Sequence, residues 1–333
     1  MTGWRSGLGA AAVVLALTGT GSPASAERGL SHHRLFAFQD PRIGESSGLV
    51  DRGSVVLTIN DSGDGPYLYA VDARTGATSA VTTYSTDDVT DVEAVAPGPG
   101  GIVWVGDIGD NRSARSGISV YRVRPSLHGH REVAAPRYDL GYPDGARDAE
   151  TLLVHPRTGR LYVVSKSVFG GTVYVAPRHL ATGSPNALRP FARVDGLVTD
   201  GSFLPDGKHV VLRTYGSASV YTFPDFRLVG TVRLPAQRQG EGISVSADGR
   251  VLVSSEGVHA PVLEVTLPGR LLGASPPSGP GPAAPTPTPA PSAHGLNPPA
   301  TPGQWLGAGA VAAALLLVGW GATRLSRVRG SRR

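Results

Sequence analysis

The chain has 333 residues, among them 45 glycines, 28 prolines and no cysteine. The absence of cysteine excludes a disulfide framework, a cysteine-ligated zinc or iron–sulfur centre, and a thiol nucleophile. Because the sequence also has no long heptad or amphipathic helical run, we predict one sizeable all-β domain with appendages.

The N-terminus has the pattern of a secretory signal peptide over residues 1–26. Arg5 precedes an apolar run at residues 8–17, and a polar break then leads to Ala24-Ser25-Ala26. A basic residue, an apolar run and a pair of small residues in this order are typical of a cleaved export signal. We therefore predict that the mature chain begins at Glu27 and is exported.

A repeated pattern follows in residues 27–273. Each copy has an apolar alternation, a turn rich in Gly, Pro or Asp, and a second alternation that runs into a polar loop. The copies are marked by Glu45, Glu93, Glu150, Asp200 and Glu241, with spacings of 48, 57, 50 and 41 residues. Repeats of this length are typical of propeller blades, and paired alternations around a turn predict β-hairpins. The sequence thus predicts a β-propeller of five four-stranded blades.

The last predicted blade is one strand short. A short strand predicted at residues 33–39 fills this place. Pairing the first strand of the domain into the last blade closes the ring and leaves no exposed sheet edge there. The alternative is six blades, if the insert at residues 125–143 forms an additional sheet.

The repeats bring acidic residues to one end of the channel. Because the strands of a hairpin are antiparallel, the start of the first strand lies beside the end of the second. In residues 91–111, DVEAVAPGPGGIVWVGDIGDN, this rule puts Glu93 beside Asp107. We call the channel end that carries the five repeat markers the acidic mouth.

The residues predicted for the acidic mouth form two groups. The candidate metal ligands are Glu45, Glu93, Asp107, Glu150 and Glu241, and Asp200 has the corresponding place in the fourth repeat. The candidate ligand-binding residues are Asp61, Asp110, Asn111, Lys166, Arg213 and Glu256. Clustered carboxylates repel one another unless a cation, a proton or a basic side chain is present. Calcium, with about 6 to 8 oxygen ligands at loosely defined angles, suits such a ring.

Two other roles are open for the acidic residues. Each glutamate can accept hydrogen bonds from neighbouring backbone N–H groups and so stabilise its blade, or it can act as a general acid or base. The sequence contains no EF-hand pattern that would favour the calcium role by itself.

The C-terminal part has three further segments. Residues 274–303 are rich in Pro, Ala, Ser and Thr and predict a semi-rigid stalk. Residues 304–323 predict a transmembrane helix, and residues 324–333 contain five arginines that predict a cytoplasmic tail. We therefore predict a single-pass membrane protein with its N-terminal domain outside the cell. The stalk, apolar run and arginine-rich end resemble a Gram-positive sorting signal without the LPxTG motif.

The charge distribution argues against nucleic acid as a partner. Arg5 and the five tail arginines are six of the 31 basic residues, so the exported part has 25 basic and 26 acidic residues. The sequence pI of about 9.7 therefore reflects the ends of the chain. No basic stripe interleaved with aromatic residues occurs in the body.

Several motifs resemble those of exported propellers in the SdiA-regulated and phytase-like-esterase families. They are ESSGL at 45–49, NDSGD at 60–64, DVEAV at 91–95, GDIGDN at 106–111, DAETL at 148–152 and GEGI at 240–243. The resemblance covers residues 45–267 and implies a propeller whose acidic residues gather at one mouth, in some members around calcium. The fourth repeat departs from it, with Thr199 and Asp200 where a glutamate is expected.

Two functions follow as hypotheses. The first is a membrane-anchored extracytoplasmic propeller that binds a cell-envelope ligand or a partner protein at the acidic mouth. The second is a calcium-dependent hydrolase of a phosphoester, lactone or ester. The stalk, the anchor and the lack of a catalytic motif favour the first, whereas the carboxylates and the family resemblance favour the second.

Overall fold

The computed structural model describes residues 30–272, apart from residues 62 and 86–88. The predicted signal peptide, stalk, transmembrane helix and tail lie outside these residues. Within the described part, no helix is long and apolar enough to cross a bilayer. The only helical elements described there are two 3-10 turns, at Pro99–Gly101 and Gly269–Leu271. The all-β prediction is confirmed.

The strands follow one another along the chain in the order of the repeats. The first part has β1 His32–Ala37, β2 Ser46–Asp51, β3 Val55–Asn60, β4 Tyr67–Asp72, β5 Thr78–Thr83, β6 Val92–Pro97, β7 Val103–Asp107, β8 Ile118–Val123, β9 Gly129–Glu132 and β10 Arg137–Gly141. The middle part has β11 Ala149–Val154, β12 Leu161–Ser165, β13 Gly171–Val175, β14 Asn186–Ala187 and β15 Arg189–Val194. The last part has β16 Asp200–Phe203, β17 His209–Arg213, β18 Ser217–Thr222, β19 Leu228–Arg233, β20 Gly240–Val245, β21 Val251–Ser255 and β22 Pro261–Val265.

These strands form five sheets, which are the five blades. In sequence order the blades begin with the inner strands β2, β6, β11, β16 and β20. Each inner strand contacts the inner strands of the blades on either side, and β20 of blade 5 contacts β2 of blade 1. The ring is therefore closed around a central channel, as the sequence predicted.

The N-terminal strand completes blade 5. Strand β1 pairs antiparallel with β22, with His32 opposite Val265 and Ala37 opposite Pro261. Phe38 follows the strand and is 0% exposed, packed among apolar residues of blades 1 and 5 that include Leu49. The predicted closure is confirmed.

The long insert joins two blades and adds no sixth sheet within the described residues. Strand β9 extends blade 1 by pairing parallel with β5. Strand β10 then returns to blade 2 beside β8, and the two-residue β14 adds parallel to β10. Blades 1 and 2 thus have five strands each, because their outer edges are covered by connecting segments.

The hydrophobic core lies between neighbouring blades. Between blades 1 and 2, for example, Tyr84 and Tyr121 pack with ring centroids 5.3 Å apart. Between blades 3 and 4, Tyr162, Phe203 and Phe223 form an aromatic cluster. Burial of each such side chain stabilises the fold by about 1.5–3 kcal/mol. This packing fixes the inner strands that carry the acidic mouth.

Candidate functional site

The acidic mouth is formed as the hairpin geometry predicts. At the start of each inner hairpin Ser46 pairs with Asn60, Val92 with Asp107, Ala149 with Ser165, Asp200 with Arg213 and Gly240 with Ser255. The first residues of the inner strands therefore lie at the same channel end as the last residues of the second strands.

A β-bulge occurs at this end in four of the five blades. In blades 2 and 3 the residue without a partner in the register is Glu93 and Glu150, respectively. In blade 5 the bulge contains Glu241, and in blade 1 it contains Ser47. A bulge inserts one residue and changes the direction of its side chain. Blade 4 has a regular register at this point.

The bulges correct one equivalence that we drew from the sequence. The repeat pattern aligns Glu45 with Glu93, but the residue of blade 1 at that position is Ser47. Glu45 precedes it by two residues and corresponds to Asp91 and Asp148 in the next two blades. Its side chain is exposed. The acid-x-Glu spacing of residues 91–93 and 148–150 is the sequence pattern that indicates the corrected alignment, in which Glu45 matches Asp91 and Asp148.

In the described part of the chain, a group of three carboxylates lies at the junction of blades 1 and 2. It consists of Asp61, Asp91 and Glu93, each with an oxygen atom within 4.8 Å of the others. Two oxygens bound to one calcium ion at about 2.4 Å are at most about 5 Å apart. The three carboxylates therefore fit a single calcium ion.

Gly109 leaves the space that this group occupies. A Cβ atom at this position would lie 2.5 Å from Asp91 Oδ2 and 2.8 Å from Glu93 Cγ. The Gly109 N–H also donates to the Asp91 carbonyl oxygen at 3.1 Å. The glycine thus allows the GDIGDN loop to pass close behind two of the three carboxylates.

Glu93 is the most buried member of the group, with 2% of its surface exposed. Ser47 Oγ donates to the Glu93 carbonyl oxygen at 2.8 Å and lies 3.2 Å from its Oε2. Burial raises the pKa of Glu93 well above its usual value, and the negative charges of Glu150, Asp61 and Asp91 raise it further. A cation bound here would offset both effects.

In blade 3, next to blade 2, a basic residue balances part of the negative charge of the mouth. Lys166 forms an ion pair with Glu150, and its ammonium group lies 5.3 Å from the centre of the Tyr215 ring. Burial raises the pKa of Glu150 to about 8, although Lys166 acts in the opposite direction. Burial would lower the pKa of Lys166, but the charge and hydrogen bond of Glu150 and the contribution of Tyr215 together outweigh burial and raise this pKa.

Glu241 contributes a buried carboxylate oxygen. Its Oε1 accepts from Gln239 Nε2 at 3.3 Å, and the same amide donates to Glu256 at 2.6 Å. Its Oε2 is buried and has no hydrogen-bond partner in the described part of the chain. A buried polar atom without a partner costs about 1–3 kcal/mol, so this oxygen is suited to a ligand or ion.

Other predicted site residues have structural contacts instead. Asp107 forms an ion pair with Arg115 at 2.8 Å and accepts from the Asp91 N–H at 2.9 Å. Asp110 accepts from the backbone N–H groups of Ala114 and Arg115 at 3.0 and 2.8 Å. Both carboxylates stabilise the loops around the mouth. Asn111 lines a cavity beside Lys166.

Blade 4 has lost the mouth chemistry and uses its charges for packing. Asp200 is 1% exposed and accepts from the N–H groups of Gly201 and Ile243, each at 2.7 Å. Arg213 is completely buried and donates to the carbonyl oxygens of Gly242 and Ser254 at 2.6 and 2.8 Å. Asp200 therefore stabilises its blade by accepting backbone hydrogen bonds. Arg213 has no exposed surface that a ligand could contact.

The raised pKa of Glu256 predicts a pH dependence of stability. Burial, and then the charges of Glu241 and Asp61, raise this pKa to about 7, from about 4.3 in an unfolded chain. The folded state therefore binds more protons between these values, and stability falls as pH rises from about 4.5 to 7. After allowance for partial exposure, we expect Glu256→Gln to remove about 1 kcal/mol of this fall. The free energy of unfolding in urea, measured with chelator at pH 5 and 7.5, tests this prediction. An equal fall between the two pH values in wild type and in Glu256→Gln would refute it.

Comparisons with known proteins give no family. No family model matches the chain, and no curated protein matches it. The resemblance to exported propeller families therefore stays a prediction.

Several solved structures are similar at low identity. A glucose dehydrogenase has 13% identity and a TM-score of 0.42, over 72% of this chain and all of that chain. The soluble aldose sugar dehydrogenase of Escherichia coli has 11% identity and a TM-score of 0.45, over 71% of this chain and 99% of that chain. A gluconolactonase of Xanthomonas campestris has 18% identity and a TM-score of 0.42, over 65% of this chain and 70% of that chain. Likenesses of this level carry no argument about activity, and the propeller assignment rests on the sheet topology.

Proposed function

We propose that the protein binds one calcium ion through Asp61, Asp91 and Glu93 and, through this ion, an oxygen-rich ligand of the cell envelope. The supporting observation is that these three carboxylates have oxygens within 4.8 Å of one another at the channel end. The buried Glu241 Oε2, without a partner among the described residues, independently supports a ligand at this mouth.

The donor set favours calcium over a transition metal. All three candidate ligands are carboxylates, and the chain has no cysteine. Hard oxygen ligands suit calcium, whereas zinc sites use mainly histidine and cysteine. Three carboxylates leave further coordination positions of calcium open to ligand oxygens. A bound ion would thus make an acidic mouth attractive to an anionic or carbonyl group.

The predicted placement in the cell supports a ligand from the envelope. The signal peptide and the C-terminal anchor predict that the propeller is held outside the cell on a Pro-rich stalk. Extracellular calcium sites in general need only moderate affinity, with dissociation constants of about 0.1–1 mM. A partner protein with exposed carboxylates would meet the same coordination chemistry.

Isothermal titration of the purified protein with calcium tests this function. We expect one ion per chain for wild type, and weaker calcium binding for Asp91→Asn. Glu264→Gln is a matched control, because Glu264 lies on strand β22 of blade 5, opposite His33 of β1 and Leu252 of β21. Identical titrations of Asp91→Asn and wild type would contradict the proposal.

Gly109→Ala gives a prediction for the same site. The new methyl group would collide with Asp91 Oδ2 and Glu93 Cγ. Because these atoms must move to accommodate it, we expect calcium affinity to fall by about tenfold, equal to about 1.4 kcal/mol. Gly216→Ala is the control, since a Cβ there meets nothing within 4 Å. Equal calcium affinities of the two variants, measured by titration, would argue against this arrangement of ligands.

Hydrolysis is the second candidate, and the position of Glu256 favours it. This carboxylate is at the mouth, and its pKa of about 7 suits a general base at neutral pH. Calcium would supply charge stabilisation, and Glu256 would take a proton from water. Assays with 4-nitrophenyl acetate, 4-nitrophenyl phosphate and a γ-lactone test it. Calcium-dependent turnover that is lost in Glu256→Gln would support hydrolysis. If none of the three substrates is turned over, ligand binding remains as the proposed function.

A further inference from the structure

A cavity opens beside Glu256, on the blade 5 side of the mouth. Its volume is about 630 Å³, and its walls include Pro235, Ala236, Val258 and Leu263. This size is within the range of small-molecule pockets, about 300–1,000 Å³. The walls are mainly apolar, and Val258 has 56% of its surface exposed. An apolar surface of this kind next to a charged mouth favours a ligand with two chemically different ends.

Gln237 is one of the residues that line this cavity. Its Oε1 accepts from Arg213 Nη2 at 2.6 Å, which fixes the orientation of the amide. Its Nε2 is buried and has no hydrogen-bond partner in the part of the chain that the structure describes. The N–H groups of this amide are therefore suited to a carbonyl or carboxylate oxygen of a ligand.

Glu256 belongs to both the cavity and the mouth. It lines the cavity, and Gln239 links it to Glu241 by hydrogen bonds of 2.6 and 3.3 Å. The segment after Glu256 also lies beside the segment before Asp61, because the Gly257 N–H donates to the Gly44 carbonyl oxygen and the Asp61 N–H donates to the Glu45 carbonyl oxygen, each at 2.8 Å. The polar end of a molecule in the cavity can therefore point towards the candidate calcium ligands.

We propose that this cavity binds the apolar part of an acyl compound, whose carboxylate or ester oxygens bind at the acidic mouth and accept a hydrogen bond from Gln237. This inference rests on the proposed function and gives it a substrate class. The ion provides the contact for the polar end, Gln237 selects an oxygen acceptor, and the apolar walls select a short hydrocarbon chain.

Binding of acetate, butanoate and hexanoate tests the class. Titrations use the full chain with calcium in one fixed detergent buffer. Full burial of a methylene group corresponds to about fourfold in affinity, so we expect about two- to fourfold tighter binding per methylene. In Ala236→Trp, a side chain that fills the cavity should remove this chain-length dependence. Ala77→Trp, at an exposed turn of blade 1, should keep it.

The polar end has its own test. Gln237→Glu keeps an acceptor for Arg213 but removes the donor, so we expect the affinity for uncharged methyl hexanoate, which the new carboxylate does not repel, to fall at least tenfold. Equal affinities of the three alkanoates for wild type, or an Ala236→Trp variant that keeps the chain-length dependence, would overturn the cavity. A chain-length dependence without any effect of calcium would overturn the placement of the polar end. The calcium titration alone decides the proposed function, so the two failures are distinguishable.

Discussion

Phe38→Ala should lower the free energy of unfolding by about 3–5 kcal/mol, the range for a buried phenylalanine replaced by alanine. Phe38 is 0% exposed and lies between blades 1 and 5, packed with Leu49, Val56 and Leu252. Its ring also meets that of Phe36 edge to face, with centroids 5.6 Å apart. Because this residue follows the strand that closes the ring, its loss weakens the junction of the first and last blades.

Urea unfolding at neutral pH measures this effect. Phe169→Ala is the matched control, because Phe169 is 89% exposed and its loss should change stability by less than about 0.5 kcal/mol. If Phe38→Ala costs under 1 kcal/mol, the N-terminal segment contributes little to closure, and the ring is held by the inner strands alone.

Most of the fold could be predicted from the sequence, because each blade is specified locally. Alternation and turn residues define the inner hairpins, and the short strand before Ser46 has only one vacant place in a closed ring. The edge strands β9 and β14 could not be predicted in this way. They are four and two residues long and pair parallel with strands of other segments, so no local pattern marks them.

Only part of the candidate site could be predicted from the sequence, and the reason is physical. Antiparallel pairing correctly brought Glu93, Glu150 and Glu241 to one mouth. It did not reveal Asp91, because a bulge changes which residues face the channel and alternation assumes that none is present. Nor did it show that Arg213 is buried, since a basic residue at a strand end has the same pattern whether it meets solvent or backbone carbonyls.

Glu93→Gln should have the largest effect on ligand binding. The substitution keeps the shape of the side chain and removes one of three clustered negative charges. We expect calcium affinity to fall by at least about tenfold, or 1.4 kcal/mol. In chelator, the variant should be as stable as wild type or more stable, because repulsion from Asp61 and Asp91 is reduced.

Thermal melting with and without calcium separates these two effects. At a calcium concentration about a hundredfold above the dissociation constant, wild type should gain about 2.7 kcal/mol. Glu93→Gln should gain far less, whereas Glu132→Gln, on the exposed strand β9, should behave as wild type. If Glu93→Gln and Glu132→Gln gain equally, Glu93 is not a ligand and the buried glutamates have only a structural role.

A crystal structure of the protein grown with calcium tests the central claim most directly. The predicted result is one strong density peak at the junction of blades 1 and 2, about 2.3–2.6 Å from oxygens of Asp61, Asp91 and Glu93. Terbium in place of calcium would give an anomalous signal at the same position. Crystals grown in millimolar calcium that show no peak there, or show the ion bound elsewhere on the propeller, would contradict it.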